Sequence, residues 1–310
     1  MTLTEKIRKF LMEWILAPKA IRVACYLLSR IVRPRTSIRL HSRESDTLYL
    51  LANGPSLVED LNRYEQEITS ADRLVVNFMT LDARFSRLKP NIYLLADPAY
   101  FISAEKLSDG LRTRMARLQN IIANEVSWPM TLMVPHSALD SEFVRYVSSN
   151  KDIKVLHFWS GVPCPENIHD FRGWFANRYA APGQTVMNTA VYIGILLKYS
   201  HIVLLGADTS FHAMIHVEQD TNRLYINDEH FYGVEKRYMF VDAGQKVPDR
   251  MSRQLRSVAT AFAWYDKLRE FADWAGVRIV NASSFSWIDA FERPAKENIL
   301  PQRMTSLERN

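Results

Sequence analysis

Thr47-Leu48-Tyr49-Leu50-Leu51-Ala52-Asn53-Gly54-Pro55-Ser56-Leu57 decides the fold of this 310-residue chain. Leu48 to Ala52 is continuously apolar, the pattern of a strand covered on both faces, as in a parallel sheet. Asn53-Gly54-Pro55 is turn chemistry. Ser56 with Glu59 spells a capping box, so a helix is expected to begin at Ser56. A first strand, a short loop and an exposed helix N-terminus make a ready site for an anionic ligand.

The same alternation repeats along the chain. Strands are expected at Arg73 to Asn77, Asn91 to Asp97 (stopped by Pro98), Thr131 to Pro135, Lys154 to Phe158, His201 to Asp208 and Arg278 to Ser284. Helices are expected at about 56–69, 100–123, 187–199 and 252–275, the last broken at Gly276. Residues 159–183 read as a long irregular loop or a partly helical lid, and 209–250 as an insertion that forms a lid over the sheet. The fold class is therefore α/β: one Rossmann-like, doubly wound, mostly parallel sheet over 44–295, with a polar tail at 296–310. In such sheets ligands bind beyond the carboxyl ends of the strands. Asn53, Asn77, Asp97, Asp208 and the pair Asn281/Ser283 all fall at expected strand ends.

Charge separates a first segment from this body. Residues 1–43 hold ten Lys/Arg against Glu5 and Glu13, a local charge of +8. The whole chain carries +5, so the remainder is about −3 by subtraction, and the body offers no basic surface for nucleic acid. Phe10, Leu11, Trp14, Ile15 and Leu16, then Ile21 to Ile31, recur at helical spacing among lysines and arginines. A basic amphipathic arm carrying Trp suits an anionic membrane surface. It lacks the apolar core of a signal peptide and is too charged to span a bilayer. Packing of the arm on the body, or binding of a partner by it, are the other readings. Cys25 and Cys164 lie in unrelated contexts and fit a reducing compartment.

The residues narrow the chemistry. The Gly-x-Gly-x-x-Gly and Walker signatures are missing after the first strand, which weighs against dinucleotide redox chemistry and P-loop hydrolysis. Asn53, Gly54 and Ser56 offer an amide, a close backbone approach and a hydroxyl, enough for one phosphate and part of a sugar. His212 and His216 are four apart but have no adjacent third ligand, so no metal is expected. Asn227-Asp228-Glu229-His230-Phe231-Tyr232-Gly233 places a histidine among carboxylates and aromatics, and His230 is the candidate proton acceptor.

With these stretches in view, the sequence resembles the bacterial sialyltransferase family (glycosyltransferase family 42) and its wider surface-polysaccharide superfamily. The matching pieces are Leu51-Ala52-Asn53-Gly54-Pro55-Ser56-Leu57, Val76-Asn77, Thr189 to Asp208, His230-Phe231-Tyr232-Gly233 and Asn281-Ala282-Ser283-Ser284. The resemblance spans about 47–292. It implies a CMP-sugar donor and inverting, metal-independent transfer to a bacterial glycan or lipopolysaccharide acceptor, with no further cofactor. Carried over by position, Asn53, Gly54 and Ser56 would meet the donor phosphate and ribose. Asn77 would touch the donor sugar or phosphate, Asp208 the ribose or base, and Asn188 and Thr189 the sugar carboxylate. His230 would act as base, and Tyr232 or Tyr225 would stand in for the family's tyrosines at the leaving phosphate. Asp97 departs from the asparagine of the family pattern, which puts an unmodified sialic acid donor in question. The family's histidine register falls on Val234 rather than His230.

These expectations place the protein in the cytoplasm, peripheral on the inner face of the bacterial inner membrane, with a homo-oligomer left open. Two other readings remain: a pterin diphosphokinase-like enzyme of the same superfamily, which would need ATP and magnesium, and a non-catalytic membrane-docked binding protein.

Overall fold

A computed structural model describes residues 24, 27, 38, 43–160, 170–230, 233–242 and 247–294, with backbone only at 106, 228–230, 233–235 and 242. The proposed arm, apart from Ala24, Leu27, Ile38 and Arg43, and the tail over 296–310 lie outside the described residues.

The central sheet has seven strands in the order β12-β6-β1-β2-β3-β4-β5. They are β1 (Thr47–Leu51), β2 (Asp72–Val76), β3 (Ile92–Leu94), β4 (Met130–Pro135), β5 (Ile153–Phe158), β6 (His201–Leu205) and β12 (Arg278–Asn281). Every pairing in it is parallel. Each expected strand is present, and the α/β expectation holds. The reason is visible in β1, whose Leu48, Tyr49, Leu50 and Leu51 are all 1% exposed or less. Leu48 and Leu50 enter the core under helices Val186–Leu196 and Met251–Ala275, while Tyr49 and Leu51 face the opposite core with Leu57, Leu118 and Phe143. A strand buried on both faces must be apolar throughout.

Several boundaries differ from the sequence expectation. The third strand ends at Leu94, and Asp97 instead caps a 3-10 turn by accepting from the Ala99 amide at 2.8 Å. The first helix splits at Tyr64, whose backbone leaves the helical region, into Leu57–Arg63 and Glu65–Thr69. The capping box at Ser56 does not form. Ser56 already has helical angles (φ −64, ψ −18) and makes no side-chain cap. A capping residue needs extended backbone to turn its hydroxyl onto the helix, and this hydroxyl is bound elsewhere. The box forms instead at Thr185 (φ −131, ψ 157) with Asn188.

The insertion, read from sequence as aperiodic, is mostly β-structure. β7 (Ile215–Glu218), β8 (Arg223–His230) and β9 (Gly233–Tyr238) form an antiparallel sheet, followed by the pair β10 (Phe240–Asp242) and β11 (Val247–Pro248). Ile215, Leu224 and Ile226 make a small core that packs against Met251 and Val258 of the long helix. That helix ends at Gly276, where φ is +71, a conformation that glycine adopts without cost. Among the described residues no helix is long and apolar enough to cross a membrane.

Candidate functional site

From β1 the chain winds outward through β2 to β5, then returns across β1 to β6 and β12. The winding direction reverses between β1 and β6, and the carboxyl end of such a switch point is where open parallel sheets bind ligands. Two loops flank it: Asn53 to Ser56 after β1, and Gly206 to Asp208 after β6.

These loops interlock. The Gly54 amide donates to the Gly206 carbonyl at 2.9 Å. The Ser56 amide donates to Asp208 Oδ2 at 3.2 Å, and the Ser56 hydroxyl donates to Asp208 Oδ1. Asp60, fully buried, accepts from the Gly206 amide at 2.8 Å and from the Ser284 amide at 2.7 Å. A β-carbon on Gly54 would stand 2.1 Å from Asp208 Oδ1, so only glycine fits. Asp208 is 5% exposed. Burial pushes its carboxyl up from the ordinary carboxylate range, and the Ser56 hydrogen bonds oppose the rise. The Asp208 carboxylate therefore fills the helix start that the sequence reading reserved for a ligand anion.

Asn53 differs. It is 6% exposed, and its amide nitrogen donates to the Val76 carbonyl at 3.1 Å. Its side-chain oxygen is buried and has no partner. Such an orphan acceptor costs free energy until an O–H or N–H reaches it. On the adjacent strand Asn77 has φ +51, half-buried, and its carbonyl accepts from the Tyr93 hydroxyl. Asn tolerates that left-handed geometry better than most residues. Asp97 is exposed in the turn after β3. Asn281 is fully buried and pins the closing loop through Ser286 Oγ (2.9 Å) and the Ile288 carbonyl (3.1 Å). Ser283 Oγ accepts from the Ala207 amide at 3.0 Å.

Asn188 and Thr189 lie at the start of helix Val186–Leu196, fully or almost fully buried. The Asn188 side chain bonds Thr185 and the Ala261 carbonyl, and the Thr189 hydroxyl donates to the Pro182 carbonyl at 2.6 Å. His230 ends β8, its backbone paired with Gly233. Its side chain and Tyr232 lie outside the described residues. His212 and His216 do not share a helical face. His212 packs edge-on against Trp287 at 4.7 Å, while His216 lies in β7 and stacks on Tyr225 at 5.3 Å. Among the described residues no cluster of His, Cys, Asp and Glu could hold a metal.

Sequence reasoning missed Asp60 and a second group on the same sheet edge. Register places Leu51, Val75, Tyr93, Leu132 and Val155 in one row across β1 to β5. The pairing of β4 and β5 goes on to Val134 and His157. Asn53, Asn77, Leu95 and Asp97 follow β1 to β3, and His136 and Trp159 directly follow β4 and β5. His136 contacts both other rings, at 4.9 Å from His157 and 5.6 Å from Trp159. Burial first, and then the neighbouring His136, hold the His157 imidazole below its ordinary pKa.

No family model and no curated protein matches the sequence. Among solved structures, the MAf glycosyltransferase from Magnetospirillum magneticum AMB-1 aligns with 87% of this chain at 13% identity and a TM-score of 0.48. This chain spans only 37% of that protein. FabMG, an enoyl-acyl carrier protein reductase, aligns with 81% of this chain and 63% of its own length at 9% identity and a TM-score of 0.19. At these values neither bears on what this chain does. What remains is the site itself: a tightly built switch point that leaves one acceptor oxygen free, beside a row of polar strand ends.

Proposed function

We propose that this chain is a glycosyltransferase that takes a sugar from a nucleotide-activated donor, CMP-linked by the sequence resemblance, and transfers it to a bacterial surface glycan. The observation that supports this reading best is the unpartnered Asn53 oxygen at the switch point. An acceptor buried there selects a ligand that brings a hydroxyl or an amine. A ribose or a sugar does so; a bare phosphate does not. Asn53 is therefore assigned to a donor hydroxyl, Gly54 to close backbone approach, and Ser56, through Asp208, to holding the turn in shape. Asn77 and Asp97 continue along the edge toward the transferred sugar. Asn188 and Thr189 support the pocket from the start of their helix.

In the transfer step the acceptor hydroxyl attacks the anomeric carbon. The bond from that carbon to the phosphate oxygen breaks, and its electron pair leaves with the phosphate. His230 takes the hydroxyl proton, and Tyr232 hydrogen-bonds the leaving group. Residues 1–43, with their charge of +8, dock the protein on the anionic inner face of the membrane.

Thermal unfolding in the presence of CMP, CDP, UDP or ATP tests the donor assignment. A ligand that binds only the folded state stabilises it by about 2.7 kcal/mol at one hundred times its Kd. Stabilisation by CMP that weakens in Asn53→Ala is expected. A response confined to ATP with Mg²⁺ favours the diphosphokinase reading, and silence to all four nucleotides overturns the donor site.

A further inference from the structure

Three rings at the carboxyl ends of β4 and β5 have no role in the switch point. His136 directly follows β4, His157 lies in β5, and Trp159 follows it. His157 Nε2 and Trp159 Nε1 are both buried and both without a hydrogen-bond partner. His157 lies in β5 and Trp159 directly after it, and both rings touch His136. Beside them the hydroxyls of Ser160 and Ser137 pair at 3.4 Å across the same two loops.

The chemistry of the two orphan atoms is complementary. An indole Nε1–H only donates. Burial and His136 lower the His157 pKa, which favours the neutral ring, and with its proton on Nδ1 the ring offers Nε2 as an acceptor. A group that satisfies both must accept from one and donate to the other. A hydroxyl does this; a carboxylate or a phosphodiester has no proton to donate, and an ammonium nothing that accepts.

Position says which hydroxyl. Asn53 and Asn77 lie just beyond β1 and β2, and His157 near the end of β5, so all three are at the carboxyl edge of the sheet. Three inter-strand spacings separate β2 from β5, about 14 Å. A donor seated at the switch point with its sugar over Asn77 and Asp97 leaves this end of the edge for a second sugar.

We infer that His136, His157 and Trp159 form a subsite that holds one hydroxyl of a pyranose ring belonging to the glycan acceptor. The assignment of that ring as acceptor rests on the glycosyl-transfer reading; the hydroxyl subsite does not. Trp159 donates to the hydroxyl oxygen, the hydroxyl donates to His157, and His136 wedges the two rings apart.

The test uses the full-length chain with ¹³C-labelled histidine rings. The eight histidines are assigned with His136→Gln and His157→Gln. Methyl glucoside, galactoside and mannoside are the probes, and inorganic phosphate and glycerol are the controls. At least one methyl pyranoside is expected to move the His157 and Trp159 indole signals in a saturable way, with both controls silent. Trp159→Phe keeps the ring and removes only the N–H, and should weaken that binding about 5- to 10-fold, the loss of one hydrogen bond. His157→Gln should weaken it similarly. The inference is overturned if no pyranoside saturates these signals, if phosphate or glycerol moves them equally, or if Trp159→Phe binds as well as the parent. Thermal stabilisation by CMP, measured in parallel, separates the two readings. CMP binding without a pyranoside response sinks the subsite alone, whereas a pyranoside response without nucleotide binding keeps the subsite and removes the donor reading.

Discussion

Replacing Gly54 by Ala probes the interlock at the switch point most directly. The added methyl would lie 2.1 Å from Asp208 Oδ1, 2.4 Å from Asp208 Cγ and 2.6 Å from the Gly206 carbonyl. None of these atoms is free to yield. The carboxylate is held by the Ser56 amide and hydroxyl, and the carbonyl by the Gly54 amide itself. Expelling the carboxylate forfeits two charge-assisted hydrogen bonds at about 1.5–3 kcal/mol each. Partial relaxation lowers the sum, so G54A should cost about 3–5 kcal/mol. Urea denaturation read by tryptophan fluorescence measures this as a lowered midpoint at constant m. The cause is tested by Asp208→Ala, which clears two of the three contacts. In that background the cost of G54A should fall by about 1.5–3 kcal/mol, a coupling expected only between touching residues. Gly110 is the control. It lies in helix Asp109–Asn120 with nothing within 4 Å of an added β-carbon. G110A should be neutral, or stabilising by up to about 1 kcal/mol. A G54A cost below about 1 kcal/mol, or strict additivity with D208A, would refute the interlock.

Asp60→Ala should cost about 3–5 kcal/mol by the same denaturation assay, because it strands the Gly206 and Ser284 amides that the buried carboxylate accepts from; an effect near zero would show those amides finding water. Acidification should destabilise the protein through His157. Its pKa is lowered in the folded state, so the unfolded chain, near 6.5, takes up the proton first, and stability holds above about pH 6.5 and declines below it until the folded imidazole also titrates. His157→Gln should flatten that slope in urea midpoints taken across pH, and an unchanged slope would assign it to other groups. His230→Ala should lower transfer turnover by roughly 10²–10⁴-fold while nucleotide stabilisation persists, and unchanged turnover would remove His230 as the base.

The sheet was legible because a strand buried on both faces announces itself in a few residues, as Leu48 to Ala52 and Ile202 to Leu205 do. Polar residues at the ends of such runs must then share one edge, which is how Asn53, Asn77, Asp97 and Asp208 could be grouped from sequence. What each polar atom does there was not legible, because its partner lies far along the chain. Ser56 and Glu59 spell a capping box locally, yet Ser56 bonds Asp208, which is 152 residues away. Asp60 sits in Leu57-Val58-Glu59-Asp60-Leu61 like any solvated helical acid, yet it is fully buried and reaches Gly206, 146 residues on. The insertion hid its strands for a related reason. Among the described residues the core under β8 is Ile215, Leu224 and Ile226, packed against by Phe211, Met214, Val217, Met239, Met251 and Val258. Of these Leu224 and Ile226 lie on β8, too short an alternation to mark a period of two.

The same distinction separates structural from ligand-facing groups at this edge. Asp208 reads from sequence as an acid at a strand end, and the resemblance gives it the ribose or base of the donor. Three-dimensional pairing commits its carboxylate to Ser56. Asn53 reads from sequence both as part of a turn and as a donor-site amide, and it is Asn53 that keeps a buried oxygen without a partner. A buried polar atom left unpaired lowers stability, so it is tolerated where something else completes it. Among the described residues, such atoms on this edge include Asn53 Oδ1 at the switch point, His157 Nε2 with Trp159 Nε1 at the far strands, and His212 Nδ1 in the turn after β6. The first is an acceptor and the second, with Nε2 accepting, a donor–acceptor pair, and a hydroxyl completes either. Ligands rich in hydroxyls are sugars and nucleosides, and two separated demands for hydroxyls on one edge fit a donor and an acceptor lying end to end better than one small substrate.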